Sequence, residues 1–173
     1  MNSSKTANLL MIAHNYESQG KKILLLKPSI DTRTQNISSR CGISRKVDIF
    51  INESTNLLEI NLIGIVCILV DESQFLSVNH VEQLRQLTKY VPVICYGLKS
   101  DYRTLLFPGS KRLLELADSI EEIKTICVEC GKKSIINAKF FIGEQKKIIK
   151  DGDSAIDIGY EEKYQAMCWK CWF

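Results

Sequence analysis

No apolar run in this 173-residue chain approaches the roughly 18 residues that a membrane-crossing helix needs. The N-terminal stretch shows nothing of the basic, apolar and small-residue pattern of a secretory signal. These absences point to the cytoplasm and to no membrane partner. Charge of one sign is also scarce. Lys and Arg number 23 against 20 Asp and Glu, a net charge of +3. That excess is small, and no basic stripe interleaved with aromatics organises it, which counts against a nucleic-acid partner. What remains is an ordinary globular composition, 45% hydrophobic and 25% charged. The length fits one domain with room for a small annex.

Cysteine is the residue in excess. There are seven, many for a cytosolic chain. Cys41, Cys67 and Cys95 are isolated, while Cys127/Cys130 and Cys168/Cys171 form two C-x-x-C pairs. Two such knuckles in a reducing compartment are the signature of a structural, tetrahedral zinc with four thiolate ligands. Two redox pairs, or four thiols merely present, are the alternatives. The interval between the knuckles is long, so a sizeable segment loops out. Its Gly143–Gly159 stretch is polar and is flanked by Phe140, Phe141, Tyr160 and Tyr164. A long loop tied down at both ends is more often functional than idle.

The chain is organised around Ile65–Phe75. Ile65 to Val70 runs without a polar break and is mostly β-branched, which predicts a strand buried on both faces of a parallel sheet. It stops at Asp71 and Glu72. Ligands of open α/β sheets sit beyond the carboxyl ends of the strands. Two carboxylates there suit magnesium-phosphate chemistry, which needs hard oxygen ligands and a proton acceptor. A solvated acidic turn is the plain alternative.

Around this strand the patterning alternates. Leu9, Leu10, Ala13 and Tyr16 recur at helical spacing, with Gly20 as a stop, and Lys22–Lys27 reads as a buried strand closed by Pro28. Ser29–Gly42 reads as a mobile surface loop, and Asn52–Ile60 as a short helix. Ser77–Tyr90 is an amphipathic helix capped by Ser77, with Val78, Val81, Leu84 and Leu87 on one face. Val91–Gly97 is a further strand, and Ser110–Ala117 a helix with Leu113, Leu114 and Ala117 inward. Ser119–Ile126 reads as a last core strand. The expected fold is α/β: a doubly wound, mainly parallel sheet resembling that of P-loop NTPases, over residues 1–126. A small zinc-binding domain occupies residues 127–173.

Met1, Asn2, Ser3, Ser4, Lys5 and Thr6 read M-N-S-S-K-T, the tail of a phosphate-binding loop G-x-x-x-x-G-K-[ST]. The helix that follows offers its N–H groups and positive dipole end to phosphates. Lys5 would reach the outer phosphates and Thr6 would hold magnesium. Four letters are also short enough to match by chance. Ser4 takes the place of the second glycine. The first glycine, and the strand that normally precedes it, would fall upstream of Met1. From this we expect Ile65–Val70 and Ile23–Leu26 to lack a neighbour, and Ser4 to be tolerated where its φ is negative.

Taken together these stretches resemble the cytosolic, zinc-containing type II thymidine kinases. Besides M-N-S-S-K-T, the resemblance rests on H-N-Y-E-S-Q-G-K-K-I-L-L-L-K-P-S-I-D-T-R, V-D-E-S-Q-F and Y-G-L-K-S-D-Y-R. L-L-E-L-A-D-S-I-E-E-I-K-T-I-C runs into the first knuckle, and I-G-Y-E-E-K-Y precedes the second. Tyr102 stands where that family usually has Phe, and Tyr160 where it has a second glycine.

The resemblance implies transfer of the ATP γ-phosphoryl group to the 5′-hydroxyl of thymidine, with Mg2+ and a structural Zn2+. It implies that Glu72 is the base and that Thr6 and Asp71 hold magnesium. Phosphates would be bound by Met1 to Thr6 with Asp31, Arg33, Ser73 and Gln74. The nucleoside would lie among Met1, Phe75, Leu98, Tyr102, Phe107, Asn137 and Tyr164. A lasso of Ala155, Ile156, Asp157, Ile158 and Gly159 would grip the thymine edge. It implies a homotetramer and feedback by dTTP. The incomplete phosphate loop leaves a second reading open, a catalytically impaired nucleoside- or nucleotide-binding relative.

Overall fold

The computed structural model describes residues 4–30, 36–39, 42–141, 147–152 and 163–173. These fall into two compact units. One comprises Ser4–Leu98 and Pro108–Ser119; the other contains Lys99–Phe107 and Ile120–Phe173. The grouping differs from a single cut after residue 126, because Lys99–Phe107 and Ile120–Ile126 cluster with the cysteine-bearing segment.

The first unit contains helices α1 (Lys5–Glu17), α2 (Val78–Leu87) and α3 (Pro108–Leu116). Its strands are β1 (Lys22–Pro28), β2 (Asn36–Ser38), β3 (Ser44–Lys46), β4 (Ile49–Ile51), β5 (Ile65–Val70) and β6 (Val93–Cys95). Four of them form a parallel sheet in the order β4-β1-β5-β6. The period of two along each strand divides the core. Leu25, Cys67 and Leu69 pack on one face with Leu9, Leu10 and Ala13 of α1. Leu26, Ile68 and Val70 pack on the other with Val81, Leu84 and Leu87 of α2. Helices on both faces of a parallel sheet are the doubly wound arrangement read from the sequence.

Several local expectations are corrected. β1 and β5 each have two strand neighbours, so neither is an edge; among the described residues the edges are β4 and β6. Within β5, Val66 is exposed, and burial on both faces begins only at Cys67. Part of the loop Ser29–Gly42 is β2, paired antiparallel with β3 in a small hairpin. Ile37 of this hairpin joins the α1 face of the core. Asn52–Ile60 forms only a 3-10 turn over Leu57–Glu59, which starts at Asn56 with the Asn side chain accepting from the Leu58 N–H. In α2, Ser77 does accept from the His80 N–H, but Val78 is exposed.

α3 starts earlier than expected, at Pro108, where a missing N–H costs nothing. Its buried residues are Gly109 and Ser110, whereas Leu114 is exposed and Ala117 lies outside the helix. A Cβ at Gly109 would come within 2.5 Å of the Leu76 carbonyl oxygen, so only glycine allows that approach. Ser119–Ile126 forms no core strand. Ile126 is 67% exposed and makes only an isolated bridge to Lys133. β-branched residues favour a strand only where a partner strand is at hand.

In the second unit β7 (Ile136–Phe141) is the centre of an antiparallel sheet, between β8 (Lys147–Ile149) and β9 (Tyr164–Met167). A short helix, α4 (Trp169–Trp172), follows. Its core gathers Ile136, Ala138, Phe140, Met167 and Trp172 around Cys127 and Cys168.

Candidate functional site

Asp71 and Glu72 stand where β5 ends, as the apolar run predicted. Asp71 is 3% exposed, and its Oδ1 has no hydrogen-bond partner among the described residues. Burial, and then the adjacent Glu72 charge, push its carboxyl up to about 6. Lys27 and Lys5 act in the opposite direction, which puts the start of α1 within electrostatic reach of the acidic turn. An orphaned, buried carboxylate oxygen is chemistry that a hard divalent cation would satisfy, so the residues fit magnesium.

Glu72 has a left-handed backbone, φ 49°. The turn that follows, Ser73–Phe75, is fixed by hydrogen bonds to β6 and its extension. The Ser73 N–H and hydroxyl both donate to the Tyr96 carbonyl, at 2.9 Å each. The Gln74 amide donates to Glu72 Oε2 at 2.6 Å and accepts from the Leu98 N–H at 3.0 Å. Leu98 is held from its other side by the Ser110 hydroxyl, 2.6 Å from its carbonyl oxygen. Gly97 passes so close that a Cβ there would lie 2.6 Å from Ser73 Oγ. Gly97, Gly109 and Ser110 are supports the sequence reading missed. Glycine after a strand signals a turn, but not what that turn packs against.

Ser4 precedes α1 with φ 56° and makes no side-chain cap. The condition under which Ser4 was expected to be tolerated, a negative φ, is therefore not met. The residue adopts a left-handed conformation that favours glycine, at a steric cost. Lys5 and Thr6 open the helix, both half-buried. Phe75 is half-buried at the end of the acidic turn. Met1, Asn2, Ser3, Asp31, Arg33 and the lasso residues Ala155 to Gly159 lie outside the described residues.

Of the expected nucleoside contacts, Tyr102, Phe107, Asn137 and Tyr164 belong to the second unit. Tyr102 and Phe107 are buried. Lys139 lies over the Tyr102 ring, 4.9 Å from its centroid. Asp101 accepts from the Arg103 N–H and the Leu105 N–H, and the Arg103 guanidinium donates to the Gly152 carbonyl at 2.8 Å. Asn137 and Tyr164 lie on paired strands, β7 and β9.

The four knuckle cysteines converge, with their sulfur atoms all within 4.8 Å of one another. The first knuckle turns at Gly131, φ 67°, whose N–H donates to the Cys127 carbonyl. Cys168 closes β9 and precedes α4. The Cys130 and Cys168 sulfurs are 3.6 Å apart, near the ~3.8 Å edge of a tetrahedron of Zn–S bonds. Burial opposes ionisation of Cys127, yet the N–H groups of Cys168, Cys130 and Glu129 outweigh it and bring the thiol down to about 6. Hydrogen bonds that the Cys171 S–H donates to Cys130 and then Cys168 instead drive Cys171 up to about 12. Four converging sulfurs cannot all ionise without a cation among them, so the donor set fits zinc.

The profile of a family described as "Thymidine kinase" matches residues 1–172. A thymidine kinase of Shouchella clausii is 44% identical over 179 residues, covering 99% of this chain and 91% of that protein. One from Chromobacterium violaceum is 41% identical, covering 99% and 92%. One from Streptococcus gordonii is 42% identical, covering 100% and 92%. Similarity of this extent, carried by a parallel α/β sheet with an acidic turn and a four-cysteine cluster, shows that the chain belongs to the thymidine kinase family.

Proposed function

We propose that this protein is an ATP-dependent thymidine kinase that produces dTMP and works in the cytoplasm as a homotetramer under feedback by dTTP. The observation that carries the catalytic reading is the Asp71–Glu72 turn at the end of β5, with its orphaned Asp71 oxygen. Glu72 accepts the proton of the thymidine 5′-hydroxyl. The nucleoside oxygen bonds to the γ-phosphorus as the bond to the ADP oxygen breaks. Lys5 and the first N–H groups of α1 hold the phosphates, with Met1 to Ser4, Asp31, Arg33, Ser73 and Gln74 around them. Thr6 and Asp71 hold magnesium, which neutralises phosphate charge when bound. Phe75, Leu98, Tyr102, Phe107, Asn137, Tyr164, Met1 and the loop Ala155 to Gly159 bind the nucleoside. Cys127, Cys130, Cys168 and Cys171 hold zinc, a structural role that leaves no open position.

The left-handed Ser4 favours a second reading, an impaired nucleoside-binding relative, because it strains the phosphate loop. Incubation of the purified protein with thymidine, ATP and magnesium, followed by mass spectrometry, decides between them. Formation of dTMP and ADP supports the kinase. Thymidine binding by calorimetry without dTMP formation supports the impaired relative. Sedimentation tests the tetramer, and dTTP titration tests feedback.

A further inference from the structure

We propose that Gln74 is a positioning residue for the catalytic base, setting the Glu72 carboxylate relative to the Leu98 backbone. The inference rests on the reading of Glu72 as the base and adds a role to Gln74 beyond contact with phosphates. Gln74 is 2% exposed and spans two functional segments with a single amide. Its nitrogen donates to Glu72 Oε2 at 2.6 Å, and its oxygen accepts from Leu98 N–H at 3.0 Å. The two partners fix the amide's orientation. A carboxylate needs a donor and a backbone N–H needs an acceptor, so a flipped amide would lose both bonds.

The surroundings pack closely on this turn. A Cβ on Gly97 would lie 2.9 Å from Gln74 Oε1, and one on Gly109 would lie 3.0 Å from the Gln74 carbonyl oxygen. Ser73 anchors the same turn to Tyr96, and Ser110 anchors Leu98 to α3. Meanwhile Glu72 has a left-handed backbone that a non-glycine residue keeps only when its neighbours hold it there. A short, charge-assisted amide bond to its side chain is such a hold. The chain thus connects the base to a residue expected to contact the nucleoside, through a rigid two-armed bridge. General-base catalysis depends on that separation, since a misplacement of about 1 Å costs roughly 10²-fold in rate.

A double-mutant cycle tests this with the full-length protein. The variants are Gln74→Met, Glu72→Gln and the pair, with kcat and both KM values measured and folding checked by circular dichroism. Gln74→Met is expected to lower kcat by up to about 10²-fold, in addition to whatever rise in KM for ATP the lost phosphate contact brings. In the Glu72→Gln background it is expected to cost less than about threefold more, because a residue acting through Glu72 has nothing left to position. An equal loss in both backgrounds, or a rise in KM for ATP with kcat intact, overturns the proposal. If Gln74→Met fails to fold, Gln74→Leu carries the same comparison, since it too removes both arms of the bridge and adds no charge beside Glu72. If Glu72→Gln alone leaves kcat intact, the assignment of the base fails instead, and with it the role of Gln74.

Discussion

Ser4 shows how one side chain bears on an anion site. A left-handed serine pays a steric cost of about 1 kcal/mol that glycine would not, and its φ is 56°. Ser4→Gly is expected to raise stability by about that amount in urea denaturation and to lower KM for ATP. Asp71 carries the opposite tension. Its carboxyl is raised to about 6 from an ordinary 3.8 by burial and by Glu72. The folded state therefore holds that proton more tightly than the unfolded chain. Its contribution to stability is present in full below the ordinary value and is lost as pH rises through about 6. Asp71→Asn, which carries no charge to desolvate, is expected to gain up to about 3 kcal/mol over the parent above pH 6, and little near pH 3. Denaturation at both pH values in the presence of a chelator checks this. The same variant is expected to lose activity, because the oxygen that fits magnesium has lost its charge. Glu72→Gln keeps the shape but not the proton acceptor, and its kcat is expected to drop by roughly 10²–10⁴-fold while thymidine affinity holds. Near-parental kcat would refute Glu72 as the base.

At the scale of elements, the knuckles and the acidic turn are the legible parts. Cysteine pairs are legible because coordination geometry imposes the same spacing wherever it is used. Cys168→Ser is expected to reduce bound zinc well below about one equivalent, and to increase amide exchange in β7 and β9, whose core includes Cys127 and Cys168. Metal analysis and hydrogen exchange read the two effects, and an undiminished zinc content would contradict the ligand set. The β5 run was legible because a buried parallel strand leaves no place for a polar residue. Ser119–Ile126 misled for the complementary reason. Ile120, Ile123 and Ile126 carry strand propensity, but pairing partners are not written in a local window, and Ile126 is 67% exposed. α3 was shifted because Gly109 and Ser110, weak helix formers, are buried against the acidic turn. Leu114, a strong one, is exposed.

At the scale of the molecule, among the described residues the first unit has a buried cluster on each face of its sheet, and the second has one built around Cys127 and Cys168. Zinc binding is folding free energy for a small unit of this kind. A strong chelator is expected to remove or lower one calorimetric transition and to leave the transition of the parallel sheet in place. A scan unaltered by chelation would show that the second unit holds without metal. The sequence by itself determined the alternation of strands and helices, the acidic end of β5, the pairing of the four cysteines and the family. Each of these is written in short-range periodicity, in fixed spacing, or in the run of residues along the chain. Only the tertiary structure decided that β1 and β5 are interior strands and that Ser4 is left-handed. Only it joined Gln74 to Glu72 and Leu98 through one amide. Such facts depend on which backbone groups meet after folding, and contacts between distant segments leave no local pattern to read.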